Sequence, residues 1–182
     1  MAEVLTQERV RELFDLDYET GVLRWRVNKH RARMGDIAGN SVGRGYYQVT
    51  IDNKMYYLHR VIFLYAFGYL PEHQVDHISR DRLDNRPCNL REVTHTCNMR
   101  NKGVGSKNTS GVKGVSWRQS SKRWQVQIRN NSKPMHLGFY EDFTEAVAHR
   151  LAAEECLDWA GCDSNSSAFL YMQNYLKDIK CR

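Results

Sequence analysis

Between residues 75 and 102 the chain reads VDHISRDRLDNRPCNLREVTHTCNMRNK, and the side chains in this stretch could hydrolyse a phosphodiester. Asp76 and His77 are adjacent. Asn89 opens an Asn-Leu-Arg run thirteen residues after Asp76, Asn98 follows nine residues later, and Asn101 lies one helical turn beyond it. An aspartate supplies a hard, charged oxygen and an asparagine a neutral one. Two such oxygens, completed by waters and a substrate phosphate, suit Mg²⁺, which rarely takes an all-protein cage. Histidine titrates near neutrality, so His77 can take a proton from an attacking water. Asn89 can orient the imidazole by hydrogen bonding, and a divalent metal would stabilise charge on the phosphate and the leaving oxygen. Taken singly, Asp76, Asn85 and Asn89 are ordinary turn residues and His77 an ordinary semi-buried histidine. Their joint spacing carries the catalytic reading.

These groups must be brought to one place by the elements around them. Residues 75–79 read as a short strand, 80–88 as a polar loop and 90–93 as a returning strand. Thr94 is a suitable N-cap for a helix carrying Asn98 and Asn101. The product is a ββα unit. Upstream, 46–51 and 54–58 read as strands joined by a tight turn at Asp52 and Asn53. A helix follows to about Phe67, where Gly68 suits its C-terminus and Pro71 enforces the stop. This helix is expected to brace the hairpin. Near the N-terminus, 6–14 reads as a helix and 22–27 as a half-buried strand with Arg24 and Arg26 outward. The glycine-rich segment 35–45 reads as turns; no G-K-[ST] follows it, so it is no P-loop.

The Asp-His pair, the Asn-Leu-Arg run and the following Asn resemble the HNH nuclease motif, in the His-Asn-Asn variant of phage-type homing endonucleases. The resemblance implies Asp76 and Asn98 as ligands of Mg²⁺ or Mn²⁺, His77 as general base and Asn89 as the residue that orients it. Many HNH nucleases have histidine at the last position, where this chain has asparagine. Asn98 and Asn101 therefore both stand as ligand candidates, and the spacing favours Asn98. Similar nucleases also carry a His-Arg pair at the start of the preceding helix, so His59 or Arg60 could approach the scissile phosphate. Polar residues at a helix start account for that pair equally well.

The chain has 182 residues, a net charge of +6 and a pI near 9.1, room for one domain or two small ones and a balance that suits an anionic partner. From residue 93 to 140 there are nine lysines and arginines and no acid. A run of that kind favours phosphate contact over a merely solvated face. The five cysteines include no C-x-x-C pair and read as free thiols in a reducing compartment. The first residues lack a signal-peptide pattern, and the longest apolar stretch, near 61–70, is too short to span a bilayer. The expectation is a soluble, cytoplasmic protein.

After an acid-free segment at 103–110 that reads as a linker, residues 111–140 give three strands: 112–118, 122–130 and 133–140. In the second, Trp124, Val126 and Ile128 share one face and Gln125, Gln127 and Arg129 the other. In the third, Leu137 and Phe139 are expected to oppose His136 and Tyr140. Asp142 and Glu145 form a capping box for a helix whose Val147, Leu151 and small alanines can pack on the sheet. The G-V-x-W-R, W-x-V-x-I-R and H-L-G-F-Y runs, with the alanine-rich helix, resemble the ethylene-response-factor (Apetala-type) DNA-binding domain. That resemblance implies a sheet laid in the major groove, with Lys113, Ser116, Arg118, Gln125, Gln127, Arg129 and His136 toward DNA. Ser116 and Gln127 depart from the plant pattern, so no base preference carries over.

The sequence thus predicts an α+β protein: a ββα-metal (HNH) nuclease module at 1–102, a linker at 103–110, a three-stranded antiparallel sheet packed on a helix at 111–161, and a C-terminal loop and helix at 162–182 with no assigned role. Its expected activity is metal-dependent hydrolysis of double-stranded DNA, as in a phage or mobile-element homing endonuclease, with a monomer favoured. Two other readings stay open: a catalytically silent DNA-binding regulator, and a nicking nuclease of repair or packaging.

Overall fold

A computed structural model of the chain describes residues 4–43, 45–130, 133–159, 162 and 166–180. The fold mixes helices and strands, and its contacts divide it into two compact units, Met1–His95 and Thr96–Arg182.

The first unit opens with helix α1 (Gln7–Leu13), whose N-cap Thr6 hydroxyl accepts from the Arg9 N–H and whose Val10 and Leu13 are buried. It runs directly into strand β1 (Phe14–Leu16), which pairs antiparallel with β2 (Leu23–Trp25). Leu23 and Trp25 are buried and Arg24 is exposed, the alternation expected of a half-buried strand. Strands β3 (Asn40–Ser41), β4 (Tyr47–Ile51) and β5 (Lys54–Tyr57) form a second sheet. Asp52 and Asn53 both take positive φ, 47° and 64°, as a two-residue hairpin turn between β4 and β5 requires.

Helix α2 (Leu58–Phe67) starts where β5 ends and buries Leu58, His59, Val61, Ile62, Phe63 and Leu64. Gly68 ends it at φ 85° in the left-handed region, its N–H donating to the Leu64 carbonyl. The apolar side chains of α2 meet Val10, Phe14, Leu23, Ile51, Val75 and Leu90 in one core. Fully burying a side chain of this size contributes about 1.5–3 kcal/mol. Against this core lies the hairpin of β6 (Gln74–His77) and β7 (Leu90–Val93), with a 3-10 turn (Pro87–Asn89) leading into β7.

The second unit begins with helix α3 (His95–Asn101), whose first residue lies on the division. Strands β8 (Val115–Arg118), β9 (Arg123–Asn130) and β10 (Lys133–Tyr140) make a three-stranded antiparallel sheet in the order β10-β9-β8. Helix α4 (Phe143–Cys156), capped by Asp142 on the Glu145 N–H, and helix α5 (Ser167–Lys180) complete it. Val112, Val115, Val126, Ala146, Val147 and Ala168 form its core. Below the sheet, the buried Arg150 and Glu154 pair at 2.8 Å, Arg150 also donates to the Gln127 carbonyl, and Ser166 donates to Glu154. Gly114 sits over this pair at φ 79°; a Cβ there would lie 2.3 Å from the Gln127 carbonyl oxygen.

Two expectations are corrected here. Cys97 and Cys162 are bonded as a disulfide across 65 residues, so they are not free thiols; Cys88 and Cys156 are free, and Cys181 lies outside the described residues. In β10 a bulge between His136 and Gly138 shifts the register, so Phe139 faces Gln125 and shares the face of His136, while Tyr140 faces Trp124 and turns to the core with Leu137. One extra residue reverses the alternation beyond it.

Candidate functional site

Asp76 and His77 are the last two residues of β6, and both are buried. The ladder sets Asp76 opposite Arg91, whose guanidinium reaches the carboxylate at 3.2 Å. Asp76 is thus a charged oxygen donor steadied by a partner on the neighbouring strand, beside the base candidate.

The loop that leaves β6 returns to His77. Asn89, at the end of the 3-10 turn, accepts from the Ser79 N–H through Oδ1 at 2.8 Å and donates through Nδ2 to the Asp84 carbonyl at 2.7 Å. Its own carbonyl accepts from the Ile78 N–H. One side chain therefore ties the start of the loop to its end. Within the loop, Asp81 accepts from the Leu83 N–H, and the Arg86 guanidinium holds the Asp84 carboxyl below the usual carboxylate range. The residue the loop delivers is Asn85, buried, with Oδ1 3.0 Å from His77 Nε2. The amide expected to orient the imidazole was Asn89; Asn85, not among the expected site residues, has its amide oxygen in hydrogen-bond reach of it. The sequence offered no distinctive signal for Asn85, because an asparagine between Asp84 and Arg86 in a polar loop looks like any turn residue.

His59, in the first turn of α2, comes beside the same imidazole, with ring centroids 5.3 Å apart. Burial, then the nearby His77 and Arg60, lower its pKa from 6.5 to about 4, so it is neutral at physiological pH. Tyr46 and Tyr57 each lie 5.6 Å from the His59 ring, and the Arg82 guanidinium stands over Tyr46. Arg60 turns elsewhere and donates to the backbone carbonyls of Pro71 and His73, bracing the approach to β6.

In the second unit Asn98 is half-buried and Asn101 is buried, both on α3. The Lys113 ammonium donates to the carbonyls of Met99, Arg100 and Lys102, at and just beyond the C-terminal end of α3. That is a favourable place for a cation, because terminal helix carbonyls have no partner within the helix. Ser116, Arg118, Gln125, Gln127, Arg129 and His136 share one face of the sheet: Ser116 stands opposite Gln125, and Gln127 opposite His136. Arg118, Gln127, Arg129 and His136 are exposed, and Arg118 donates to Gln125. The bulge adds Phe139, 46% exposed, with its ring 4.7 Å from that of His136.

The family model of the HNH endonuclease matches residues 56–100, which hold Asp76, His77, Asn85, Asn89 and Asn98. An HNH endonuclease domain is present there. It supports nuclease activity and interaction with DNA in general. No curated protein and no solved structure gives a significant match to the chain. No helix among the described residues is long and apolar enough to cross a membrane. Nuclease domains of this kind are generally metal-dependent, yet among the described residues no group of three or more His, Cys, Asp or Glu could hold a metal ion. The donors expected from the sequence are instead one carboxylate, Asp76, and an asparagine amide, Asn98 or Asn101. Such a set fits a hard cation that keeps most of its waters, and does not fit a closed zinc cage.

Proposed function

We propose that the protein is a metal-dependent DNA endonuclease of the HNH type that hydrolyses phosphodiester bonds, with little sequence demand at the bond it cuts, and that it acts as a homing endonuclease of a phage or mobile element. The observation that carries this reading is a histidine held by a buried amide next to a buried carboxylate at the end of one strand, inside the HNH match. His77 is the general base. It accepts a proton from the water that attacks the phosphorus, and its burial among ordered partners fixes the direction from which it does so. Asp76 and Asn98, with Asn101 as the alternative to Asn98, are the protein oxygens for Mg²⁺ or Mn²⁺, which when bound supplies charge stabilisation at the phosphate and the leaving oxygen. Asn89 serves the base through the loop it closes. His59, neutral and buried, can offer the phosphate only a neutral hydrogen bond, and Arg60 supports the strand.

The second unit is proposed as the DNA reader, resembling an ethylene-response-factor domain in sequence. Arg118, Gln125, Gln127 and Arg129, with Ser116 and His136, form a polar face suited to base edges in the major groove of double-stranded DNA. Lys113, engaged at α3, serves it by holding that helix.

The test is cleavage of an end-labelled duplex library with Mg²⁺, with and without chelator, by the wild-type chain and by His77→Ala. The wild type should cut only with metal. The variant should bind DNA as well as the wild type and cut roughly 10²–10⁴-fold more slowly. A variant that cuts at the wild-type rate removes His77 from the mechanism.

A further inference from the structure

We infer that Asn85 is the positioning residue of the site: it holds His77 in the tautomer protonated at Nε2, so that Nδ1 is the nitrogen that carries the basic lone pair. The inference rests on His77 being the base. Asn85 Oδ1 lies 3.0 Å from Nε2, and both residues are buried. An amide oxygen only accepts hydrogen bonds, so with Oδ1 on the side of the ring the hydrogen belongs on Nε2. A neutral imidazole has one N–H and one lone pair, which leaves the lone pair on Nδ1. A base is useful only if the lone pair is on the nitrogen that meets the water, and the hydrogen bond on the other nitrogen decides that.

The surroundings of Asn85 are those of a group that must not move. Asn89 clamps the residue before it, through the Asp84 carbonyl, to Ser79 just after His77. From behind, the β1–β2 turn presses against it at Gly21, which has φ 70°. A Cβ on Gly21 would stand 2.5 Å from both the Asn85 carbonyl carbon and the Arg86 nitrogen, so there is no room for a methyl group. The loop backbone is therefore held from two sides, by the Asn89 amide and by the close approach of Gly21. An amide used only to satisfy a buried polar group would need neither support.

The experiment is long-range proton–nitrogen correlation of the imidazoles in the metal-free, uniformly ¹⁵N-labelled full chain, at about pH 8, above the ordinary histidine range. The seven histidines are sorted by the loss of one signal set in His77→Gln. The same spectra and single-turnover cleavage rates are taken for Asn85→Leu, which has no acceptor, and Asn85→Asp, which keeps one. The expected result is an Nε2–H pattern for His77 in the wild type and in Asn85→Asp. In Asn85→Leu it should give way to a tautomer mixture, with cleavage slowed about 10–100-fold and DNA binding unchanged. Asn85→Asp should recover most of the rate. Gly21→Ala, which leaves the amide in place but displaces its backbone, should reproduce part of the Asn85→Leu defect in both readouts. An Nδ1–H pattern in the wild type overturns the inference, as does an Asn85→Leu protein with wild-type tautomer and rate. Should the wild type show Nε2–H and cut no DNA, the tautomer assignment holds and the nuclease reading falls. If Asn85→Leu does not fold, Asn85→Asp and Gly21→Ala decide.

Discussion

At the scale of single residues, labour is divided between two polar pairs, one part-buried and one buried. Asp76 answers to Arg91, and His77 answers to Asn85. Metal dependence should follow the oxygen donors. Asp76→Ala and Asn98→Ala should each raise the Mg²⁺ concentration needed for half-maximal single-turnover cleavage, by about 10-fold or more, as loss of a ligand or its support does. Asn101→Ala should act mainly on stability, because Asn101 is 4% exposed and Asn98 is not buried. A larger metal effect from Asn101→Ala would move the ligand one turn along α3. His59 makes a different prediction. Its folded-state pKa, about 4, lies below the 6.5 of the unfolded chain, so on acidification the unfolded state takes the proton first. The stability that His59 contributes is complete above about pH 6.5 and is lost as pH falls towards 4, by up to about 1.4 kcal/mol per pH unit. His59→Phe should flatten that part of the profile, and urea midpoints at neutral pH and at about pH 5 would show it. Parallel losses in both proteins would place the acid sensitivity elsewhere.

At the scale of elements, support comes from positions where no side chain fits. Gly114→Ala combines an unfavourable φ with a contact to backbone that cannot swing away, and should cost about 2–4 kcal/mol. Denaturation followed by tryptophan fluorescence reports on it well, since three of the four tryptophans, Trp117, Trp124 and Trp159, lie in the second unit. A loss under about 0.5 kcal/mol would mean that the backbone at Gly114 and Gln127 yields easily. Elements governed by local chemistry were legible in the sequence. The Asp52-Asn53 turn, the Gly68 stop and the Asp142 cap each depend on neighbours within a few positions. What was not legible depends on one inserted residue or on distant partners. Alternation assigned Phe139 to the core, because a period of two carries no mark of the bulge at Leu137. The Cys97–Cys162 pair has no local spacing to betray it, and Asn85 shows its role only when the loop has folded back on His77. The HNH spacing itself was legible because the hairpin and its loop fix those intervals.

At the scale of the whole chain, a net charge of +6 and an acid-free run through the β8–β10 sheet set the terms of DNA binding. Arg129→Ala removes an exposed guanidinium from the polar face and should relax preference at one base pair, at a cost of about 1–3 kcal/mol for the preferred base. Lys122, exposed in the β8–β9 turn, is placed for a phosphate. Its replacement should weaken all sequences alike and lower the salt slope by about one contact. Selection from a random pool, repeated at several salt concentrations, separates the two effects. Equal loss of sequence preference in both variants would contradict the assignment of roles.

The lysine that closes α3 also bears on how such a chain could exchange parts. Met99, Arg100 and Lys102 give their carbonyls to Lys113, and Cys97 is bonded to Cys162. A crossover at 103–110 would give a recombinant an asparagine-bearing helix without its cap or its sulfur partner. A crossover ahead of His95 would carry helix, lysine and cysteine together. Gene shuffling that trades one sheet for another is therefore expected to leave viable products chiefly when α3 travels with the sheet.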